Sequence, residues 1–503
     1  MKKRISLLIA ALMAASSLTS AAAAGTQFYG TLLYGDVNLD HEVNVVDATA
    51  IQRFSAGILT PSDLARKASD VNNDNDVNVS DATCVQRFAA GLSAGCGDTG
   101  KAAAEIDPPD YEPTPEEVKS QGSAALTGFS VRLLQSSMKH DDNTLLSPLS
   151  VMEALGMTTN GAKGRTRSQM EATLGAPRSV LNSFAKAYPT YKNEYDDSQL
   201  SIANSLWTNT ASNLTVSADF KKSAEKYYSA DVFSTVFDEQ ALENMNEWMN
   251  KKTNGMIPSM LDRIEPTALM YLMNAVAFEA DWEEPYVSSY KYHNGPGGNL
   301  EFPGDVKEGV FTSFDGSQST VEYMCSEERY YFKDDSSQGF IKPYTGGSFA
   351  FAAILPNEGV KLDDYVASLT GEKLTALLES KHIPKSLLYT RLPKFEVKYG
   401  DDLVDNLQEL GMTDAFNSDA DLTDMIDDKT APSPYISKVL HKTFIAFNEL
   451  GTRAGAGTVV EVKEGAPYYE EPPKYVYLER PFLYMIINTE TNTPLFIGTV
   501  QKL

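Results

Sequence analysis

Two stretches of this chain are near copies of each other. GDVNLDHEVNVVDATAIQRFSAG begins at Gly35 and SDVNNDNDVNVSDATCVQRFAAG begins at Ser69, 34 residues later. Repetition at this identity marks two copies of one structural unit. Each copy opens with oxygen-bearing side chains at alternate positions. In the first these are Asp36, Asn38, Asp40, Glu42 and Asn44, closed by Asp47. In the second they are Asp70, Asn72, Asp74, Asp76 and Asn78, closed by Asp81. A hard cation takes six to eight oxygens, and a twelve-residue loop with this spacing curls them around one point, the seventh position giving its backbone carbonyl. A short helix is expected after each loop, over DATAIQRF and DATCVQRF.

The pattern departs from the EF-hand in two places. The sixth loop position is His41 in one copy and Asn75 in the other, where glycine is usual, and the last ligand is Asp in place of Glu. No helical pattern precedes the first loop. With these features residues 30–97 resemble a type I-like dockerin. The resemblance implies a small all-α module of paired EF-hand-like loop–helix units holding two calcium ions. It implies a cohesin on a scaffold protein as partner, as in cellulosomes. Val45, Val46, Val79 and Ser80 fall where such modules select their cohesin, and their character suggests an apolar contact.

Residues 1–24 read as a secretory signal peptide: Lys2, Lys3 and Arg4, then the apolar ISLLIAALMAA, then small residues suited to cleavage. The apolar run is too short for a membrane span, and no later stretch is long enough, so a secreted, extracellular protein is expected. The formal net charge of −25 becomes −28 without those three basic residues. Such a charge opposes binding to nucleic acid or to an acidic membrane. Of the three cysteines, Cys84 and Cys96 could form a bridge or remain thiols, and Cys325 is left over. Residues 98–119 are acidic and rich in proline, which reads as a semi-stiff tether.

The remainder, residues 120–503, mixes helical patterns (GFSVRLLQSSM, PLSVMEALGMTTN, YGDDLVDNLQELGM) with strand patterns (SFAFAAIL, KTFIAFNEL, FLYMIIN, PLFIGTV) without strict alternation. An α+β domain with antiparallel sheets is expected. NTLLSPLSVMEALGMTTNGAKGRTRSQMEATLG, LMNAVAFEADWEEPY, LPKFEVKYGDDLVDNLQELGMTDAFNSDADLTDM, ISKVLHKTFIAFNELGTRAGAGT and ERPFLYMIINTETNTPLFIGTV occur in the order found in serpins. The resemblance implies the serpin fold, with three β-sheets, eight to nine helices and an exposed reactive-centre loop. It also implies a monomeric suicide inhibitor that forms a covalent acyl complex with a serine protease. Ser147, Ser150, Asn274 and His441 match the polar shutter beneath the sheet opening, and Trp282 matches the aromatic lid at the breach where insertion begins.

One segment carries that mechanism in its own pattern. From Thr452, the residues Thr452, Ala454, Ala456, Thr458, Val460 and Val462 share one side of an extended strand and carry no charge. Arg453, Glu461 and Lys463 all lie on the other side. Period-two alternation of this kind marks a strand with one buried face, and it breaks at Glu464. Glu449, Gly451, Thr452, Ala454, Gly455, Ala456 and Gly457 match the hinge of inhibitory serpins, whereas Leu450 and Arg453 depart from it. Counting from Glu449, the family's spacing puts the scissile bond at Gly465–Ala466, which suits subtilisin-like or elastase-like proteases. Counting back from PPKYVYLERPF puts Tyr468 or Tyr469 there instead.

Dockerins often accompany glycoside hydrolases, but the chain has neither a Gly-x-Ser-x-Gly elbow nor a His-Glu-x-x-His pair, and only five histidines. An inhibitor is expected, not an enzyme. A non-inhibitory serpin or a binding component is the alternative.

Overall fold

The computed structural model describes residues 30–39, 43–61, 63–72, 74, 76–92, 97–100, 102–106, 112–191, 199–286, 306–452 and 471–503. The chain separates into two compact units, Met1–Tyr111 with Lys163–Ser168, and Glu112–Ala162 with Gln169–Leu503. The expected signal peptide, Asp40, Glu42, Cys96 and residues 453–470 lie outside the described residues.

In the first unit the two repeats give the equivalent helices Val45–Ser55 and Val79–Ala89. Each starts where its sequence supplies a reciprocal cap. The Asn44 and Asn78 side chains accept from the helix's first-turn N–H groups, and Asp47 and Asp81 accept from the cap residues' own N–H groups. A third helix, Asp63–Ser69, separates them. Val37, Ala48, Ile51, Val71, Ala82 and Val85 form the core between the copies.

The module expected to be all-α also carries a two-stranded antiparallel sheet, Gly30–Leu33 against Ala102–Ile106. This corrects the tether reading of its first part. The Asp98 N–H donates to the Val71 carbonyl at 2.7 Å and the Gly100 N–H to the Tyr34 carbonyl at 2.7 Å, which anchors the chain before the strand. Averaged composition hid the strand: AAAEI has no proline and one charge, unlike the acidic, proline-rich stretch that follows it. The tether's other end is also structured. Thr114 and Glu117 form a capping box that starts the helix Pro115–Ser137, with proline at its first position.

The second unit has three sheets and, among the described residues, nine α-helices. One six-stranded sheet runs in the order Thr144–Leu146, Thr493–Val500, Phe482–Asn488, Phe349–Pro356, Ser337–Pro343 and Tyr330–Lys333. Phe349–Pro356, Phe482–Asn488 and Thr493–Val500 are buried at every residue, as their unbroken apolar runs require. A four-stranded sheet orders Lys474–Tyr477, Leu388–Pro393, Gln318–Glu327 and Val306–Thr312. The third runs Phe395–Asp402, Leu440–Phe447, Gly451–Thr452, Met270–Asp281, Gln199–Asn209 and Asp231–Thr235. Within it, Leu440–Phe447 buries every second residue.

The expected helix over YGDDLVDNLQELGM is only Val404–Glu409. Its first residues extend the strand Phe395–Asp402, because ladder pairing with His441 and Leu440 outcompetes helix formation there. Among the described residues no helix is long and apolar enough to cross a membrane.

Candidate functional site

The two-residue strand Gly451–Thr452 lies between two long strands of the third sheet. Thr452 pairs antiparallel with Phe447 on one side and with Ala280 on the other, and Gly451 pairs with Asp281. Among the described residues, Leu440–Phe447 and Met270–Asp281 are neighbours in the sheet only through these two residues. Gly451 is required by close approach: a Cβ there would meet the Ala280 carbonyl oxygen at 2.1 Å. Thr452 is 1% exposed, and its hydroxyl lies 2.5 Å from that of Tyr344.

The turn that delivers this strand, Asn448–Leu450, is held by its three carbonyls. The Trp282 indole N–H donates to Asn448 O at 2.9 Å, the Trp282 backbone N–H to Leu450 O at 2.8 Å, and the Tyr286 N–H to Glu449 O at 2.9 Å. Asn448 Oδ1 accepts from the Leu450 and Gly451 N–H groups and closes the turn. Glu449 forms an ion pair of 2.5 Å with Lys394, which also meets Glu322 at 3.2 Å. Trp282 stacks on Tyr344 with centroids 4.5 Å apart and an interplanar angle of 10°.

Deeper under the sheet, a polar network joins the helix Pro148–Thr159 to four strands. The Ser147 N–H donates to His441 Nε2 at 3.0 Å, and Ser147 Oγ donates to the Leu495 carbonyl at 3.0 Å. The Ser150 hydroxyl donates to Asn274 Oδ1. Asn274 Nδ2 donates to Asn204 Oδ1 at 2.7 Å, and Asn204 Nδ2 donates to Glu153 Oε2 at 2.9 Å. All seven residues are buried. Burial lowers the His441 imidazole to about 4, which leaves it neutral. Burial raises the Glu153 carboxyl to about 8, against the Asn204 hydrogen bond that opposes the shift. Its Oε1 is buried with no hydrogen-bond partner among the described residues.

The five shutter and breach residues expected from the sequence therefore occupy two layers of one sheet opening. Ser147, Ser150, Asn274 and His441 lie below, with Trp282 at the mouth beside Gly451, Thr452 and Glu449. Tyr344, Lys394, Asn204 and Glu153 were missed. Lys394 could have been noticed as a lone cation at the start of the apolar LPKFEV; Tyr344 carries no local signal. Ala454, Gly455, Ala456, Gly457, Gly465 and Ala466 lie outside the described residues.

In the first unit, Asp47 Oδ1 accepts from the Val37 N–H at 2.9 Å and the Asn38 N–H at 3.1 Å, so the last loop position reaches back to the second and third. Asp81 repeats this toward Val71 and Asn72, at 3.1 and 3.4 Å. Asp70 Oδ1 and Asn72 Oδ1 both accept from the Asp74 N–H. Burial raises the Asp81 carboxyl; the neighbouring carboxylates of Asp70 and Asp74 add to the rise, and backbone hydrogen bonds oppose it. This crowding of like charge, with amide oxygens between, fits a hard divalent cation. Among the described residues no group of three His, Cys, Asp or Glu side chains is already drawn together as a metal cluster.

Comparison with known proteins agrees with both units. The family described as serpin (serine protease inhibitor) matches residues 124–503, and the type I dockerin domain matches residues 34–88. Human Serpin B8 is 28% identical over 383 residues, covering 74% of this chain and 96% of its own. Serpin-Z2A of Triticum aestivum is 30% identical over 382 residues, covering 71% and 89%. The thermophilic serpin tengpin in its native state superposes with a TM-score of 0.67 at 38% identity, covering 79% of this chain and 96% of that one. Its latent state gives 0.64 at 37% identity, covering 78% and 100%. With the family model matched over residues 124–503 and the fold matched by the tengpin structures, the chain belongs to the serpin family and carries a type I dockerin domain ahead of the serpin domain.

Proposed function

We propose that the protein is a secreted suicide-substrate inhibitor of serine proteases, carried by its dockerin on a cohesin-bearing scaffold such as a cellulosome. The observation that carries the inhibitory reading is the register of Thr452. An inserted strand that kept this register would set Ala454 opposite Phe278 and Ile445, Ala456 opposite Val276 and Thr443, and Thr458 opposite Asn274 and His441. Val462 would then fall opposite Met270, the first residue of its strand.

Residues directly opposite in an antiparallel pair share a face. Ile445, Thr443, His441, Phe278, Val276 and Asn274 are all buried. The uncharged side of the loop would therefore enter the core, and Arg453, Glu461 and Lys463 would stay outside. Inserting twelve residues, Thr452–Lys463, moves the acylated protease roughly 40 Å at about 3.3 Å per residue. Pairing of open strand edges and burial of the apolar face supply the driving force.

Cleavage at Gly465–Ala466 leaves the filled strand complete and matches a protease with a shallow primary pocket, subtilisin-like or elastase-like. Asp36, Asn38, Asp40, Glu42, Asn44 and Asp47 would hold one calcium ion, and Asp70, Asn72, Asp74, Asp76, Asn78 and Asp81 a second. Bound calcium would neutralise the crowded carboxylates and fix the loops that start each helix. The exposed Val45 and Val79, at equivalent helix starts, offer the cohesin an apolar contact.

The test is incubation with subtilisin- and elastase-type proteases. The expected result is loss of protease activity with an SDS-stable complex, and mass spectrometry of a released peptide beginning at Ala466. Clean cleavage with full protease activity would mark a non-inhibitory serpin, and a peptide beginning at Tyr469 or Glu470 would move the scissile bond.

A further inference from the structure

Behind the hinge turn lies a buried cation that the shutter and breach residues do not include. Lys342 belongs to the strand Ser337–Pro343, and only 2% of its side chain is exposed. Its ammonium meets Glu328 Oε1 at 2.8 Å, and Glu328 is buried with it. Glu328 is itself placed by the Ser326 hydroxyl, which donates to the same oxygen, and by its own N–H, which donates to the Leu388 carbonyl at 2.9 Å. Two aromatic rings complete the enclosure. The ammonium lies 4.2 Å from the Tyr286 ring centroid and 5.7 Å from that of Trp282. An ammonium stripped of water is attracted to aromatic faces more strongly than an exposed one.

Tyr286 and Trp282 are the two residues whose N–H groups hold the carbonyls of Asn448, Glu449 and Leu450. The segment between them is also fixed to the lysine's own strand, since the Glu283 N–H donates to the Pro343 carbonyl at 3.1 Å. The cation thus packs against the rings of the same two residues whose backbone and indole N–H groups hold the hinge turn. Removing the charge would free the Tyr286 ring, and with it the N–H that holds Glu449.

We propose that Lys342, fixed by Glu328, is a positioning residue for loop insertion: through the rings of Tyr286 and Trp282 it keeps the turn Asn448–Leu450 docked, so that Thr452 enters the sheet in register. The inference rests on the inhibitory reading for its consequence, though not for the docking itself. A purely structural ion pair would stabilise the fold without affecting how the hinge is held.

Lys342→Met combined with Glu328→Gln in the full chain separates the two, because methionine keeps similar length without charge and no carboxylate is left buried without its partner. Amide exchange at Trp282, Tyr286 and Gly451 should speed up about tenfold, while Phe482–Asn488 exchanges as in the wild type. The inhibitor needed per protease trapped should at least double, with the association rate changed less. Tyr286→Leu keeps the ion pair and removes the nearer ring, and should reproduce both effects; it also serves if the double variant does not fold. Wild-type hinge exchange in either variant overturns the proposal. If the wild type traps no protease, the inhibitory reading fails, whereas hinge exchange still decides whether Lys342 holds the turn.

Discussion

His441 Nε2 accepts a hydrogen bond from the backbone N–H of Ser147 at 3.0 Å. The imidazole can do so only while that nitrogen carries no proton, because protonation would set a donor against a donor. Burial lowers its folded pKa from 6.5 to about 4. A depressed folded pKa means a contribution that is complete above pH 6.5 and lost as the pH falls toward 4, up to ~3 kcal/mol. Melting temperature should therefore drop between pH 6.5 and 4.5, and His441→Gln should flatten that limb. An equally steep limb in the variant would place the acid sensitivity elsewhere.

Glu153 has the opposite sign. Its carboxyl is raised from 4.5 to about 8, so its contribution is complete below pH 4.5 and is lost as the pH rises toward 8. Above that range a carboxylate would stand beneath the sheet opening with one oxygen unpartnered. Glu153→Gln keeps the shape without the charge. The variant is expected to gain stability over the wild type at pH 8 and little at pH 5, by thermal melting. A gain independent of pH would overturn this account.

The register of the hinge strand can be tested by placing one chemical change on alternate faces. Thr458→Arg sets a charge opposite Asn274 and His441, where it must be buried without a partner. Val459→Arg sets the same charge on the outer face. The first should turn the inhibitor into a cleaved substrate, and the second should still trap protease at near wild-type stoichiometry, as read by gel bands of complex and cleaved chain. Equal behaviour of the two would refute the register.

Calcium should bind the dockerin loops and stabilise that unit. In calorimetric titration of the full chain with calcium, two sites are expected, and Asp36→Ala with Asp70→Ala should abolish both. Excess chelator should abolish cohesin capture in parallel. Capture that survives chelation would separate scaffold binding from the metal.

What could be read from the sequence was whatever is local along it. The paired loops show as spacing between Asp36 and Asp47 and between Asp70 and Asp81. The face proposed to insert shows as alternation from Thr452. The contacts that set the hinge in place are not local. Tyr344 reaches Thr452 across 108 residues, and Ser150 reaches Asn274 across 124. Lys342 and Glu153 each read as an ordinary charge within its stretch, and only the packing of other elements over them makes them buried. The strand Ala102–Ile106 was lost for another reason: its five residues were averaged into the acidic, proline-rich stretch that follows them.

Under the proposed inhibition, Thr452 held at the mouth of the slot gives the molecule a ruler whose zero is a residue, not an end of the loop. Chain added after the scissile bond leaves every measurement from that zero unchanged. A single residue added between Thr452 and Gly465 would turn each later side chain onto the opposite face. The bait's far half can thus drift to suit new prey while the trap stays calibrated, whereas the near half can change in kind but not in count.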